Sequence, residues 1–195
     1  MPSAMRDFTN TTIFPTFLTI PEKDQDAVAP PSSSAPAERW YLLAQIKDNM
    51  TINKPTLVLT DRDANPFALV FEGLGRDDLD LKGLGFKKGS TAVIPNAMRT
   101  KPADESKRGF VRVEKGDAGS VRAVPCSLAR VLELGGKVKG SKCETCGVDD
   151  GKDLKGCTGC GRAGYCSKEC QVKGWNEGGH KTDCKALKTL NDIFT

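Results

Sequence analysis

The sequence predicts an α+β chain in two unlike parts: a small β-rich N-terminal domain, followed by a C-terminal module with short helices built around metal. Three observations predict it. Between residues 38 and 134, short β-branched and aromatic runs alternate with Gly, Pro, Asn and Asp. Seven of the eight cysteines and the one histidine then fall between Cys143 and Cys184. The stretch Gly135 to Ser141, rich in Gly and Lys, lies between the two regions and reads as a hinge.

The N-terminal elements follow in order. Residues 1–21 hold Phe8, Ile13, Phe14, Phe17, Leu18 and Ile20. A stretch so apolar is expected to dock on the next domain as a strand or short helix. Residues 22–37, EKDQDAVAPPSSSAPA, have no apolar periodicity and read as a flexible linker. Strands are expected at Trp40–Ile46, Thr56–Thr60, Phe67–Phe71, Thr91–Met98, Phe110–Glu114 and Ser120–Val124. RDDLDLKGLGFKKG, between the third and fourth, has room for one short helix or an irregular crossover, and Ser127–Leu134 reads as a closing helix. Five or six strands with one interruption suggest an OB-like, partly open barrel; a β-sandwich or roll fits the same pattern.

The spacing in the C-terminal region is C-x2-C-x10-C-x2-C-x5-C-x3-C-x9-H-x3-C. Eight soft ligands in four close pairs are enough for two closed tetrahedral zinc sites. Two intervening residues let one tight turn aim both sulfurs at an ion, as for Cys143/Cys146 and Cys157/Cys160. Three intervening residues place both ligands on one helical face, as for Cys166/Cys170 and His180/Cys184. Disulfides are the competing reading. The N-terminal MPSAMRDFTNTTIF has no basic start followed by an apolar run, so the expectation is a reduced, intracellular compartment, nucleus or cytoplasm. Spacing alone leaves consecutive and interleaved pairings equally open.

The stretch CETCGVDDGKDLKGCTGCGRAGYCSKECQVKGWNEGGHKTDC closely resembles a MYND zinc finger. The likeness includes Leu154-Lys155 before the second knuckle, Tyr165-Cys166-Ser167, Cys170-Gln171, and Trp175 ahead of His180-Lys181. One departure is the nine-residue gap from Cys170 to His180, long for that family and holding Gly178-Gly179; the extra length is expected to sit in a loop. MYND fingers interleave their ligands. The resemblance therefore implies Cys143, Cys146, Cys166 and Cys170 around one zinc, and Cys157, Cys160, His180 and Cys184 around the other. It also implies a cross-braced finger over residues 142–186, a tail over 187–195, and structural rather than catalytic ions.

Further expectations come from the same resemblance. MYND fingers read short proline-containing peptides, often of the P-x-L-x-P type, and the positions matching their contact residues are Thr158, Gln171 and Trp175. The competing readings are a core role for Trp175 and a solvated helix position for Gln171. Some MYND fingers lie within SET-domain lysine methyltransferases. Here only eleven residues follow Cys184, and no histidine exists outside the finger for the cofactor motif of those enzymes or for a Ser-His-Asp triad, so no enzyme activity is expected. The function implied is a protein-interaction module, in an adaptor or transcriptional co-regulator.

Other motifs carry less. An OB-like domain would invite single-stranded nucleic acid, and Lys82, Lys87, Lys88, Arg99, Lys101, Lys107, Arg108 and Arg112 supply positive charge. The net charge of +3 over residues 1–140 (20 Lys/Arg against 17 Asp/Glu) is weak for that role, and Asp77, Asp78 and Asp80 interrupt the patch. Asp61-x-Asp63-x-Asn65 with Glu72 has EF-hand acidic spacing, but Pro66 stands where the loop requires glycine, so a hairpin turn is expected and calcium is not. Cys126 reads as a small buried hydrophobe.

Overall fold

The computed structural model describes residues 5–23, 39–101, 109–136, 142–149 and 154–194. Most of the 22–37 linker, most of the 135–141 hinge, and Lys107 and Arg108 lie outside the described residues. The chain forms two compact units, one of Thr9–Ala129 and the other of Met1–Phe8 with Arg130–Thr195.

The first unit is built on one large mixed sheet. Its strands are β1 (Glu22–Lys23), β2 (Tyr41–Asn49), β3 (Thr56–Thr60), β4 (Pro66–Glu72), β5 (Thr91–Pro95), β6 (Arg99–Thr100), β7 (Val111–Glu114) and β8 (Arg122–Val124). They lie in the order β1-β6-β7-β4-β3-β2-β5-β8. β2, β3 and β4 form an antiparallel meander, β4 pairs in parallel with β7, and β2 pairs antiparallel with β5.

Period-two alternation aims one face of the sheet at the core. Leu42, Ala44 and Ile46 on β2, Leu57 and Leu59 on β3, and Phe67, Leu69 and Phe71 on β4 all belong to one buried cluster. The register sets them opposite one another, Leu42 with Ile94, Leu57 with Leu69, Leu59 with Phe67, and Phe71 with Val113. Each such side chain removed from water stabilises the fold by about 1.5–3 kcal/mol.

Several boundaries differ from the sequence reading, each for a local reason. The Thr91–Met98 run stops as a strand at Pro95, because Asn96 turns into the left-handed region at φ 48° and Trp40 Nε1 donates to the Ala97 carbonyl at 2.9 Å. Ser120 is taken by a 3-10 helix over Lys115–Ser120, leaving Arg122–Val124 as strand, and the closing helix forms as α1 (Leu128–Leu134). The crossover after β4 forms no helix. Asp78 accepts the Gly75 N–H and Asp80 accepts the Gly83 N–H, both at 2.8 Å, and these local bonds hold turns while Leu81 and Phe86 enter the core.

The apolar N-terminal segment is neither helix nor strand over residues 9–20; it folds as successive turns. Phe14, Phe17 and Ile20 are buried, and Phe17 stacks on Phe67 with ring centroids 4.5 Å apart. Asp61 anchors it. That side chain is 4% exposed, and its Oδ2 accepts the Phe17 N–H at 2.8 Å. Its two oxygens also accept the N–H groups of Asp63 and Asn65 and the Asn65 side-chain amide, closing the β3–β4 hairpin. The carboxylate with EF-hand spacing is thus committed to backbone donors. Asp61→Ala strands the Phe17 N–H and should lower the stability of this unit by about 3 kcal/mol. A urea titration with an unchanged slope and a lowered midpoint checks this.

Candidate metal centre

Four elements frame the ligands: β9 (Lys155–Gly156), β10 (Gly164–Tyr165), α2 (Lys168–Asn176), which carries Cys170, and α3 (His180–Phe194), which carries His180 and Cys184; the other five ligands lie in turns outside them. Each C-x2-C pair is followed by a glycine, and both glycines take a left-handed φ, 73° at Gly147 and 68° at Gly161. That conformation lets the Gly147 N–H return to the Cys143 carbonyl at 2.8 Å and the Gly161 N–H to the Cys157 carbonyl at 2.7 Å. The two knuckles are therefore the same turn built twice. β9 and β10 flank the second knuckle and pair as a minimal hairpin around it, Tyr165 opposite Lys155.

The other two pairs differ from each other. His180 and Cys184 both lie on α3, four residues apart on one face. Cys166 does not share a helix with Cys170. It follows β10, while Ser167 caps α2 by accepting the Cys170 N–H at 3.2 Å, so Cys170 sits in the first turn. In the long gap before His180, α2 runs to Asn176, and Glu177, Gly178 and Gly179 form the short loop that separates it from α3. Likewise α3 continues to Phe194 where a tail was expected from residue 187, and it buries Leu187 and Leu190.

The ligand atoms converge in two groups. Cys143, Cys146, Cys166 and Cys170 form one, and Cys157, Cys160, His180 and Cys184 the other, with the donor atoms of each group within 4.8 Å of one another. Cys166 Sγ lies 3.5 Å from both Cys146 Sγ and Cys170 Sγ. In the second group Cys157 Sγ is 3.7 Å from Cys184 Sγ, and Cys160 Sγ is 3.8 Å from His180 Nε2. A tetrahedral zinc with Zn–S bonds of ~2.3 Å has edges of ~3.8 Å, so the spacing suits that ion. Four protein donors per point leave no open position for water or substrate. Closed sites of this kind are structural rather than catalytic.

The thiols themselves respond to this crowding. Burial works against ionising Cys143, but N–H groups of Cys146, Cys166 and Thr145 outweigh it and bring the thiol down to about 6. Cys157 is likewise resisted by burial, and His180 with the N–H groups of Cys160 and Gly159 draws it down to about 6. Their partners move the other way. Cys166 is pushed up to about 12 by hydrogen bonds with Cys170, Cys146 and Cys143, and Cys184 to about 12 by burial and by Cys157. Four sulfurs at one point cannot all ionise unless a cation joins them.

Supporting contacts lie beyond the ligands. Thr145 Oγ1 donates to the Cys170 carbonyl at 2.7 Å, tying the first knuckle to α2. Asn191 on α3 donates to the Cys160 carbonyl at 2.9 Å and accepts from Arg162 Nε at 2.8 Å, tying the second knuckle to α3. Arg130 Nε donates to Asp183 Oδ1 at 2.9 Å, and this ion pair raises the guanidinium pKa further. None of these was singled out from sequence. Their partners are far along the chain, and no local signal marks them.

The three positions matched to peptide contacts are placed as follows. Gln171 and Trp175 lie one turn apart on α2, Gln171 half-buried and Trp175 38% exposed. Thr158 is exposed in the second knuckle. The Trp175 ring meets the His180 ring edge-on with centroids 5.9 Å apart, and Tyr165 meets it from another side at 5.8 Å. Trp175 is thus neither a free surface residue nor a core residue.

Comparison with known proteins agrees with this geometry. Residues 143–184 match the family described as the MYND finger. SET domain-containing protein 14 of Caenorhabditis elegans is 43% identical over 53 residues, 27% of this chain and 12% of that protein. A SET and MYND domain-containing protein of Dictyostelium discoideum is 44% identical over 43 residues, 22% of this chain and 8% of its own length. The likeness is confined to a small part of either relative. The chain carries a MYND finger, a zinc-binding protein-interaction module with two zinc ions.

Two outcomes follow. Structural zinc contributes about 10–16 kcal/mol in finger peptides, so a strong chelator should release two ions and remove the helical circular dichroism of α2 and α3 while the sheet persists. At Gly159 an added Cβ would stand 2.9 Å from Cys184 Sγ and 3.7 Å from Cys157 Sγ. Gly159→Ala should weaken retention of the second ion by about tenfold, read by competition with a chelating dye.

Proposed function

We propose that the finger docks proline-containing peptides of partner proteins on the face carrying Thr158, Gln171 and Trp175. The assignment of the eight ligands to two zincs, as grouped above, underlies this reading. The observation that carries it is Trp175. A large aromatic ring keeps more than a third of its surface in water although the second ligand group beside it is buried, and the half-exposed Val172 lies one helical turn before it. An indole face can stack on a proline ring, and the Gln171 amide can donate to and accept from an extended peptide backbone. A P-x-L-x-P spacing would set two prolines for such stacking with an apolar side chain between them.

In this reading the protein is an intracellular adaptor or transcriptional co-regulator, nuclear or cytoplasmic, in which the sheet unit has a separate role. No described helix is long and apolar enough to cross a membrane. The relatives are named for SET domains, but the likeness stops at the finger, and the chain's one histidine is used in the second ligand group. We therefore read the chain as no methyltransferase. Single-strand binding by an OB-like sheet unit stands second. Two cations it would need are already partnered, Arg99 by Glu22 and Arg112 by Glu72.

A proline-peptide array probed with the full chain tests the docking reading. Trp175→Ala should lower binding to the best peptide at least tenfold, worth about 1.4 kcal/mol or more, with zinc content unchanged at two per chain. Undiminished binding would refute the assignment, and joint loss of peptide and zinc would make Trp175 a packing residue.

A further inference from the structure

The two ligand groups are alike in chemistry and unlike in access. In the first, Cys146 and Cys166 are exposed, Cys170 is half-buried, and only Cys143 is fully covered. In the second all four are buried, none more than 7% exposed, with Tyr165 and Trp175 set edge-on against the His180 ring. The two exposed sulfurs are also neighbours, 3.5 Å apart, and they come from different parts of the chain, the first knuckle and the end of β10. Cys170, at the same distance from Cys166, is less free. Its N–H is held by the Ser167 cap and its carbonyl by Thr145.

We propose that Cys146 and Cys166 form an oxidative modification site: a peroxide converts them to a disulfide and expels the first zinc while the second is retained. This rests on the reading that each group holds one zinc. One of the two thiolates attacks the peroxide O–O bond, giving a sulfenic acid and one hydroxide. The other thiolate attacks that sulfur, forming the S–S bond and displacing a second hydroxide. Two electrons pass from the sulfurs to the peroxide, and no other oxidant is needed. The ion left with Cys143 and Cys170 has lost half its ligands and departs into water. The second group is protected because access as well as thiolate character governs oxidation.

The test uses the full chain loaded with zinc. Native mass spectrometry before oxidation must show two ions, and fewer would overturn the metal reading together with this one. Hydrogen peroxide is then added in steps, free thiols are alkylated, and proteolytic peptides are mapped. The expected result is a one-zinc species with a single disulfide joining the peptides of Cys146 and Cys166. The first ion should leave at least about tenfold faster than the second. A phosphine reductant with added zinc should restore the two-zinc form. Release of both ions together, earlier release from the second group, a disulfide joining Cys166 to Cys170 or involving Cys157, Cys160 or Cys184, or inertness to excess peroxide would each overturn the proposal.

Discussion

Thiolates repel one another, and the C-terminal unit brings three or four to a single point twice over. Hydrogen bonds soften this at Cys143 and Cys157 but cannot do so for a whole group, as the raised thiols of Cys166 and Cys184 show. A divalent cation turns the repulsion into the strongest cohesive term in the unit. The interleaving then does the rest. One group joins the first knuckle to the start of α2, and the other joins the second knuckle to α3, so neither half closes without the other. A unit this small has a modest apolar core of its own, in which Tyr165, Ala186, Leu187 and Leu190 are prominent. Direction is set by the metal, and the apolar contacts fill in around it.

The sheet unit is held on different terms. Its cohesion is spread over many cross-strand pairs, none indispensable, with the N-terminal aromatics adding to the same core. Asp61 is the exception, a single carboxylate that serves a hairpin and a distant segment at once. Removing metal should therefore leave this unit standing, since none of its described residues belongs to either ligand group.

What could be read from the sequence was whatever is local. Alternation at Leu57/Leu59 and Phe67/Leu69/Phe71 marks strands because a two-residue period is visible within five residues, and the knuckles are visible because each pair closes within one turn. The grouping of ligands across some forty residues is not local, and it came from resemblance rather than spacing. Nor are the contacts of Thr145 with Cys170, Asn191 with Cys160 and Arg130 with Asp183 local, and neither spacing nor resemblance pointed to them. Cys166 was misplaced on a helix because a three-residue gap has two solutions. A serine between the ligands, able to cap, selected the one in which the helix starts later. The crossover after β4 stayed irregular because Asp78 and Asp80 satisfy backbone donors locally, which competes with helix.

The difference in access between the two groups bears on how docking and metal are linked. The Trp175 ring packs edge-on against the His180 ring, so an ion held by the second group would help to seat the indole. An ion held by the first group would hold something else, the start of α2, where Cys170 follows the Ser167 cap and Gln171 comes next. Gly174, in the last turn of the helix, has no room to shift toward the first knuckle, because even a Cβ there would meet Thr145 Oγ1 at 2.7 Å and Tyr165 at 2.8 Å. A helix held at its start by one ligand group and near its end by a ring of the other would have the side chains of the proposed docking face, Gln171 and Trp175, oriented by both. Loss of the exposed ion alone would leave Trp175 seated against His180 while freeing the turn that aims Gln171. Peptide recognition would then lose its polar half before its stacking half.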